Sequence, residues 1–207
     1  GEATARLLAE QGAHVVISSR KQEDLDVVAA SIIAAGGKAT AIAAHQGESA
    51  ALQALMGEIE AGLGRLDILV NNAATNPYFG QISDTDMAMV DKTLQVNIKG
   101  YFELAALASK LMKKGGGGAI VNVGSVAGRV GTPYGGMYAA TKHAVEALTE
   151  AMHFELAHQG IRVCVVEPGQ FPTQLNANSG RASAMTEGTE EFDRYQRYRV
   201  AQKSLVS

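Results

Sequence analysis

Residues 119–125 read Ala-Ile-Val-Asn-Val-Gly-Ser, a short and largely apolar run that ends in a glycine and a serine. Similar β-branched runs recur at residues 13–17, 39–43, 66–70 and 161–166. Strands that are apolar along most of their length are typical of a parallel sheet that is buried on both faces. These runs therefore predict the strands of one parallel sheet.

The segments between the runs have helical spacing. In the segment 22–35 the apolar residues Leu25, Val28 and Ile32 recur at three and four positions, and residues 48–63 and 137–159 show the same spacing. A further long helix is expected at 91–114. An alternation of strands and helices predicts a doubly wound α/β fold, with a Rossmann-like parallel sheet between two layers of helices. We expect a single domain over residues 1–175. Glycines stand where the helices should end, at Gly12, Gly36, Gly64, Gly115 and Gly160.

Composition argues against several classes of protein. The chain has 207 residues with 46% hydrophobic content, enough for one sizeable core, and its net charge of −3 leaves no basic excess for a nucleic-acid backbone. No apolar stretch reaches the roughly 18 residues that span a bilayer, and the first residues form no signal peptide. The single Cys164 cannot form an internal disulfide and is expected to be a buried strand thiol, so a reducing cytoplasm is the expected location.

Ser125, Tyr138 and Lys142 suggest acid/base chemistry at a carbonyl oxygen. A free tyrosine has a pKa of about 10, which is too high for proton transfer near neutrality. Lys142 follows Tyr138 by four residues, so its ammonium would share a helix face with the phenol and favour the phenolate. Ser125, at a strand end, could donate a hydrogen bond to a substrate oxygen as charge develops on it. By itself, the pattern also fits a solvated helix face.

Strand ends indicate where a cofactor would bind, since ligands of such sheets bind outside the carboxyl ends of the strands. The run 13–17 is followed by Ser18-Ser19-Arg20-Lys21. An acidic residue at this place would favour NAD, whereas cations suit the 2′-phosphate of NADP. The cations predict NADP, with NAD less favoured; the alternative is that they lie on a solvated helix start.

In order and spacing, these motifs resemble those of the short-chain dehydrogenase/reductase family. Asn71-Asn-Ala-Ala74 matches the family's Asn-Asn-Ala-Gly, and Asn97, Ser125, Tyr138 and Lys142 follow at the family's distances. The resemblance implies that Tyr138 gives or takes the proton, that Ser125 polarises the oxygen, and that Lys142 lowers the tyrosine pKa and binds the nicotinamide ribose. It also implies that Asn97 holds a water through its backbone.

The resemblance further implies a dinucleotide site, and no metal site is expected. His153 and His158 do not suggest zinc, because five residues place them about 140° apart around a helix. Within the family, residues 18–22 and 71–80 resemble NADP-dependent carbonyl reductases, whereas 128–137 resembles steroid- or retinoid-type members. The implied cofactor-binding residues are Gly1, Ser19, Arg20, Lys21, Asn72, Ala73, Ala74, Tyr138, Lys142, Pro168, Gly169 and Thr173.

The chain departs from the family pattern at both ends. Gly1 resembles the last glycine of the family's Thr-Gly-x-x-x-Gly-x-Gly turn, so we expect the first strand, which would lie between runs 13–17 and 66–70, and most of the phosphate cradle to be missing. Residues 176–207 are expected to form either a substrate lid or a flexible tail.

Two functions follow from these observations. The first is an oxidoreductase that transfers a hydride between NADP(H) and a ketone, aldehyde or secondary alcohol. The second is a non-catalytic fragment or interaction module that retains the fold but cannot bind the dinucleotide. A homodimer or homotetramer is expected, because residues 91–114 and 137–159 resemble the family's dimer faces; neither nucleic acid nor a membrane is expected as a partner.

Overall fold

A computed structural model describes residues 1–169 together with residues 188, 190, 192–194 and 196–197. Strands and helices alternate through it as the sequence predicts. Thr173, the expected domain boundary at 175 and most of the expected lid or tail lie outside the described residues. In chain order the elements are α1 (Glu2–Glu10), β1 (His14–Ile17), α2 (Gln22–Ala34), β2 (Lys38–Ala41), α3 (Ser49–Leu63), β3 (Ile68–Asn71), α4 (Met87–Leu94), α5 (Gly100–Lys114), β4 (Gly118–Val123), α6 (Gly136–Ala157) and β5 (Ile161–Val166).

The strands pair in parallel but in two groups. β1 pairs with β2, while β4 lies between β3 and β5. β1 and β3 border the same cleft, and neither pairs with a described residue on that side. The described strands thus form two parallel groups, one on each side of the cleft.

The main core packs helices α3, α5 and α6 against β4 and β5. Its best-buried members include Leu52, Ala108, Met112 and Ile120, each at most 2% exposed. A smaller cluster joins α1, β1 and α2 through Ala9, Val15 and Ile32. Burial of each large apolar side chain contributes about 1.5–3 kcal/mol, so the helix layers hold the strands in place.

A chain of buried polar groups crosses the main core. Asn71 Nδ2 donates to Asn122 Oδ1 over 2.9 Å, and Asn122 Nδ2 donates to Thr149 Oγ1 over 2.9 Å. The hydroxyl of Thr149 in turn donates to the Val145 carbonyl over 2.6 Å. These bonds tie β3, β4 and α6 together directly beneath the ends of the strands.

The loops that precede β4 and β5 meet at two glycines. Gly117 has a φ of +128°, and a Cβ there would overlap the carbonyl oxygen of Gly160. Gly118 N–H donates to that same oxygen over 3.1 Å. Glycine at 117 is therefore required both by the backbone conformation and by the close approach.

Cys164 contradicts the expectation of a buried thiol, because it is exposed. β5 alternates, with Ile161 and Val163 buried and Arg162 and Cys164 exposed. The reason is that β5 is the edge strand of its group in the described part of the chain, and α6 packs against β5. An apolar run alone does not tell whether one face or both are covered.

The segment predicted as one helix at 91–114 begins earlier and is interrupted. Helical structure runs from Met87 to Lys114, with a π-helical turn at Gln95–Lys99 between α4 and α5. Gly100 N–H donates to the carbonyl of Gln95, five residues back. Such turns occur frequently at functional sites, and this one carries Asn97. No helix in the described ranges is long and apolar enough to cross a membrane.

Candidate active site

Ser125 lies just beyond the carboxyl end of β4. Its Oγ accepts a hydrogen bond from Ala127 N–H over 3.2 Å and caps a short 3₁₀ turn at Val126–Gly128. The Gly128 N–H donates to the Ser125 carbonyl over 2.7 Å. These contacts fix the serine at the mouth of the cleft.

Tyr138 stands in the first turn of α6 and borders the same cleft as Ser125. Burial raises the pKa of Tyr138, and the Ser125 hydroxyl lowers it in part. The structure therefore differs from the expectation that Lys142 controls this pKa. The reason is geometric: Lys142 Nζ lies 5.8 Å from the centroid of the Tyr138 ring and donates to the Val123 carbonyl over 2.6 Å.

Lys142 is buried, with 1% of its surface exposed. Burial lowers its pKa to about 8, and the carboxylate of Glu146 opposes that shift. The ring of Tyr101 lies 5.4 Å from Nζ, so the ammonium sits between two aromatic faces, an arrangement that is attractive when water is excluded.

Tyr101 also belongs to this site, although no sequence motif predicted it. Only 2% of it is exposed, and its hydroxyl donates over 3.4 Å to the Val123 carbonyl that also accepts from Lys142. Burial raises the pKa of Tyr101, so it stays protonated. A signal was present, since Tyr101 follows Asn97 by four residues in a helical segment.

Asn97 is fully buried and uses its side-chain amide to join two segments. Its Oδ1 accepts from Thr75 N–H over 2.8 Å, and its Nδ2 donates to the Thr75 carbonyl over 2.9 Å. The same Nδ2 lies 3.1 Å from Thr141 Oγ1, whose hydroxyl donates to the Tyr138 carbonyl over 2.7 Å. Asn97 thus links the loop after β3 to the helix that carries the tyrosine.

A cleft of about 2150 Å³ brings most of the predicted cofactor-binding residues together. Lys21 directly precedes α2 and does not line the cleft. A Cβ on Gly1 would lie 3.1 Å from Asn72 Nδ2, so the start of α1 and the loop after β3 are close. The predicted residues that line the cleft are Gly1, Ser19, Arg20, Asn72, Ala73, Ala74, Ser125, Tyr138, Lys142, Pro168 and Gly169.

Arg20 at the end of β1 is exposed, and it makes no ion pair or hydrogen bond with the described residues. A guanidinium with its donors uncommitted suits a phosphate. Ser19 holds this end of β1 in place, because its carbonyl accepts from Ala44 N–H over 2.8 Å. The residues at this end of the cleft therefore fit a phosphate-bearing ligand such as a dinucleotide.

A cluster of charged side chains lies next to the 3₁₀ turn that follows Ser125. Arg129 contacts Glu167 at 2.5 Å and Glu146 at 3.7 Å. Burial and the neighbouring Glu167 raise the pKa of Glu146, while Arg129 lowers it. A Cβ on Gly124 would lie 2.7 Å from Glu146 Oε1, so glycine at 124 lets this carboxylate pack against the strand end that leads to Ser125.

The loop before α6 contains a strained residue. Tyr134 has a φ of +64°, a conformation that is uncommon for a residue other than glycine. The Tyr134 carbonyl accepts from Gly80 N–H over 3.0 Å, and its ring lies 6.3 Å from that of Phe79. Such strain clusters at functional sites, and here it lies four residues before Tyr138.

Comparison with known proteins places the chain in a family. A family model described as short chain dehydrogenase matches residues 1–184. Human dehydrogenase/reductase SDR family member 4 is 38% identical over 176 residues, which are 85% of this chain and 63% of the human protein. The chain thus spans less than two thirds of the length of this relative.

Solved structures agree with the fold and differ in cofactor. A gluconate 5-dehydrogenase from Burkholderia cenocepacia in complex with NADP and tartrate is 34% identical, with a TM-score of 0.80 over 85% of this chain and 69% of that one. An NAD⁺-bound xylitol dehydrogenase is 30% identical, with a TM-score of 0.80 over 87% of this chain and 72% of that one. The family match, the fold and the grouping of Ser125, Tyr138 and Lys142 agree, and the chain belongs to the short-chain dehydrogenase/reductase family of oxidoreductases.

Proposed function

We propose that this protein transfers a hydride between NADP(H) and a carbonyl or secondary-alcohol substrate, with Tyr138 as the general acid/base. The observation that carries the proposal is the grouping of the Ser125 hydroxyl, the Tyr138 hydroxyl and the buried ammonium of Lys142, which lies 5.8 Å from the centroid of the tyrosine ring. These three groups line one cleft, as a site for proton transfer to a substrate oxygen requires.

The dinucleotide, when bound, supplies or accepts the hydride. Tyr138 gives a proton to the substrate oxygen during reduction and removes one from the alcohol during oxidation. Burial raises the pKa of Tyr138, so the hydroxyl is protonated at neutral pH and suits carbonyl reduction. Ser125 donates a hydrogen bond to the same oxygen as negative charge develops there. The Lys142 ammonium, which lines the same cleft, would hold the ribose of the nicotinamide.

The cofactor preference for NADP is supported by Arg20. It is exposed at the end of β1 and free of ion pairs with the described residues, and it lines the cleft beside Ser19. A guanidinium can hold the added 2′-phosphate through charge-assisted hydrogen bonds. Asn72, Ala73 and Ala74 would hold the adjoining part of the dinucleotide, and Pro168 and Gly169 the far side of the cleft.

Self-association as a homodimer or homotetramer is supported by two exposed aromatic side chains. Phe102 on α5 is 53% exposed and Phe154 on α6 is 71% exposed. Large apolar side chains of this kind are enriched at interfaces. A reducing, cytoplasmic location is supported by the exposed free thiol of Cys164.

One observation favours the alternative function, an interaction module that does not bind a dinucleotide. The cleft continues into the gap between β1 and β3, where the strand edges are unpaired among the described residues. A calorimetric titration with NADP⁺ separates the two functions: saturable binding supports the oxidoreductase, and its absence supports the module.

Substitution of Tyr138 tests the catalytic proposal. Tyr138→Phe removes only the hydroxyl, so NADPH-dependent turnover of a panel of ketones and aldehydes should fall below detection, while NADP⁺ affinity stays near that of the parent. Tyr78→Phe is the matched control, because the Tyr78 hydroxyl donates to the Gln81 carbonyl over 2.9 Å. Turnover that survives in Tyr138→Phe would remove this tyrosine from the mechanism.

Substitution of Arg20 tests the cofactor preference. The ratio of kcat/KM for NADPH over NADH should exceed one and should fall in Arg20→Ala by about one to two decades, since a charge-assisted hydrogen bond contributes about 1.5–3 kcal/mol. Arg162→Ala is the control, because Arg162 is exposed on β5. An unchanged ratio in Arg20→Ala would mean that Arg20 does not contact the phosphate.

A further inference from the structure

Gln46 is a polar residue on the loop after β2 that neither the family motifs nor the acid/base chemistry uses. Its Nε2 donates to two backbone carbonyls, that of Ala73 over 3.3 Å and that of Val96 over 3.1 Å. Ala73 belongs to the loop after β3, and Val96 belongs to the π-helical turn that carries Asn97. One amide therefore joins three separate segments at the edge of the cleft.

The packing around Gln46 fixes the position of this amide. Gly100 follows the π-helical turn, and a Cβ on it would lie 2.6 Å from Gln46 Cγ and would also overlap the Gln46 carbonyl oxygen. Only a glycine lets the two backbones come so close. The Gln46 side chain therefore enters at the π-helical turn with both of its amide hydrogens pointed at carbonyls.

The contact lies next to the network that links the cofactor loop to Tyr138. Asn97 holds the amide and the carbonyl of Thr75, and through Thr141 it reaches the Tyr138 carbonyl. Gln46 donates to the carbonyl of Ala73, two residues before Thr75, and to the carbonyl of Val96, the residue before Asn97. Loss of the Gln46 donors would let the loop and the turn separate, which would open the bonds between Thr75 and Asn97.

We propose that Gln46 is a positioning residue that keeps the 72–75 loop next to the π-helical turn, in the arrangement that binds the cofactor. It acts on cofactor binding through the Ala73 and Thr75 backbone, and it touches none of the groups that transfer the proton. The inference rests on the proposed function only where it concerns the cofactor; the effect on the loop itself is independent of any activity.

Three substitutions at one position separate hydrogen bonding from packing. Gln46→Met keeps the length of the side chain and removes both donors. Gln46→Lys is one atom longer and restores donors. Gln46→Glu places a carboxylate against two carbonyl oxygens. A positioning role by donation ranks the variants Gln, then Lys, then Met, then Glu, whereas a space-filling role would place Met nearest to the parent and treat Lys and Glu alike.

Hydrogen exchange of the cofactor-free protein is the first measurement. The Thr75 amide should exchange at least about tenfold faster in Gln46→Met than in the parent, because the variant loses two hydrogen bonds and the net contribution of one corresponds to about that factor. It should exchange faster still in Gln46→Glu and near the parental rate in Gln46→Lys. Amides of β4 serve as the internal reference, since unchanged protection there shows that each variant is folded.

Cofactor affinity and kinetics are the second measurement. The calorimetric Kd for NADP⁺ and the KM for NADPH should rise about tenfold in Gln46→Met, with a smaller change in kcat. Gln53→Met is the matched control, because Gln53 is exposed on α3 and its amide donates to Ser49 Oγ over 3.2 Å.

The outcomes separate the two proposals. If Thr75 exchange in Gln46→Met equals that of the parent, the positioning role is wrong. If the exchange ranking holds but the parent binds no NADP⁺, Gln46 still positions the loop and the proposed oxidoreductase function is the one that fails. If Kd is unchanged while exchange is faster, the role in cofactor binding is overturned.

Discussion

Replacement of Lys142 by methionine should stabilise this protein at neutral pH and destabilise it at alkaline pH. Lys142 is 1% exposed, and its burial lowers the pKa from the ordinary 10.5 to about 8. Each tenfold change in proton affinity corresponds to about 1.4 kcal/mol, so the charged lysine costs the folded state about 3 kcal/mol. Methionine is flexible and apolar and fits the same space without this cost.

The sign follows from proton binding. Below pH 8 the lysine is protonated in both the folded and the unfolded state, and the whole cost is present. Between pH 8 and 10.5 the unfolded chain keeps the proton that the folded protein has released, so the stability of the parent rises with pH relative to the variant. The variant also loses the hydrogen bond to the Val123 carbonyl, worth about 1 kcal/mol. We expect the variant to be about 2 kcal/mol more stable at neutral pH and about 1 kcal/mol less stable above pH 10.5.

Urea unfolding followed by far-ultraviolet circular dichroism, repeated across this pH range, measures the difference directly. Lys110→Met is the control, because Lys110 is exposed on α5, and its difference from the parent should stay flat with pH. A difference between Lys142→Met and the parent that does not change with pH would refute the account of a buried charge.

Two further substitutions test other features of the structure. Ser125→Ala removes the hydroxyl that lowers the Tyr138 pKa. In a pH profile of kcat/KM for alcohol oxidation, the limb that reports Tyr138 should therefore move to higher pH; a limb that stays in place would contradict the assignment. Gly117→Ala should lower the free energy of unfolding by about 2 kcal/mol or more, because φ is +128° and the new Cβ overlaps the Gly160 carbonyl; chemical denaturation measures this. Gly57→Ala in α3 is its control, since nothing lies within 4 Å of the added Cβ, and helix propensity predicts a gain of about 0.5–1 kcal/mol. Equal effects at the two glycines would show that the crowding at Gly117 is not real.

Local pattern was enough to predict the alternation of strands and helices. Apolar runs and helical spacing are properties of neighbouring residues, and the observed elements follow them with shifts of a few residues at the ends. The grouping of Ser125 with Tyr138 and Lys142 was predictable for a related reason. A strand end and the first turns of the next helix meet at the same edge of a parallel sheet.

Tertiary contacts were not predictable in the same way. Gln46 reaches Val96 across fifty residues of sequence, and no local pattern records that contact. The direction of the Lys142 side chain was also missed, because four-residue spacing predicts a neighbour of Tyr138 but not that the Val123 carbonyl competes for the ammonium. The exposure of Cys164 depended on which strand forms an edge, and an apolar run carries no information about that.

The paired amides of Asn71 and Asn122 set the register of the sheet. The two residues lie opposite each other on β3 and β4, both buried, and their side chains hydrogen-bond. A slip of one residue would turn Asn71 to the other face and place it opposite Val121 or Val123, leaving two buried amides without their partner, at about 1–3 kcal/mol each. It would also move the end of β3 by about 3.3 Å along β4. The Asn pair therefore sets how far β3 extends along β4. In this way it fixes the position of the loop that starts at Asn72 relative to Ser125, two residues beyond the end of β4, even when no ligand is bound.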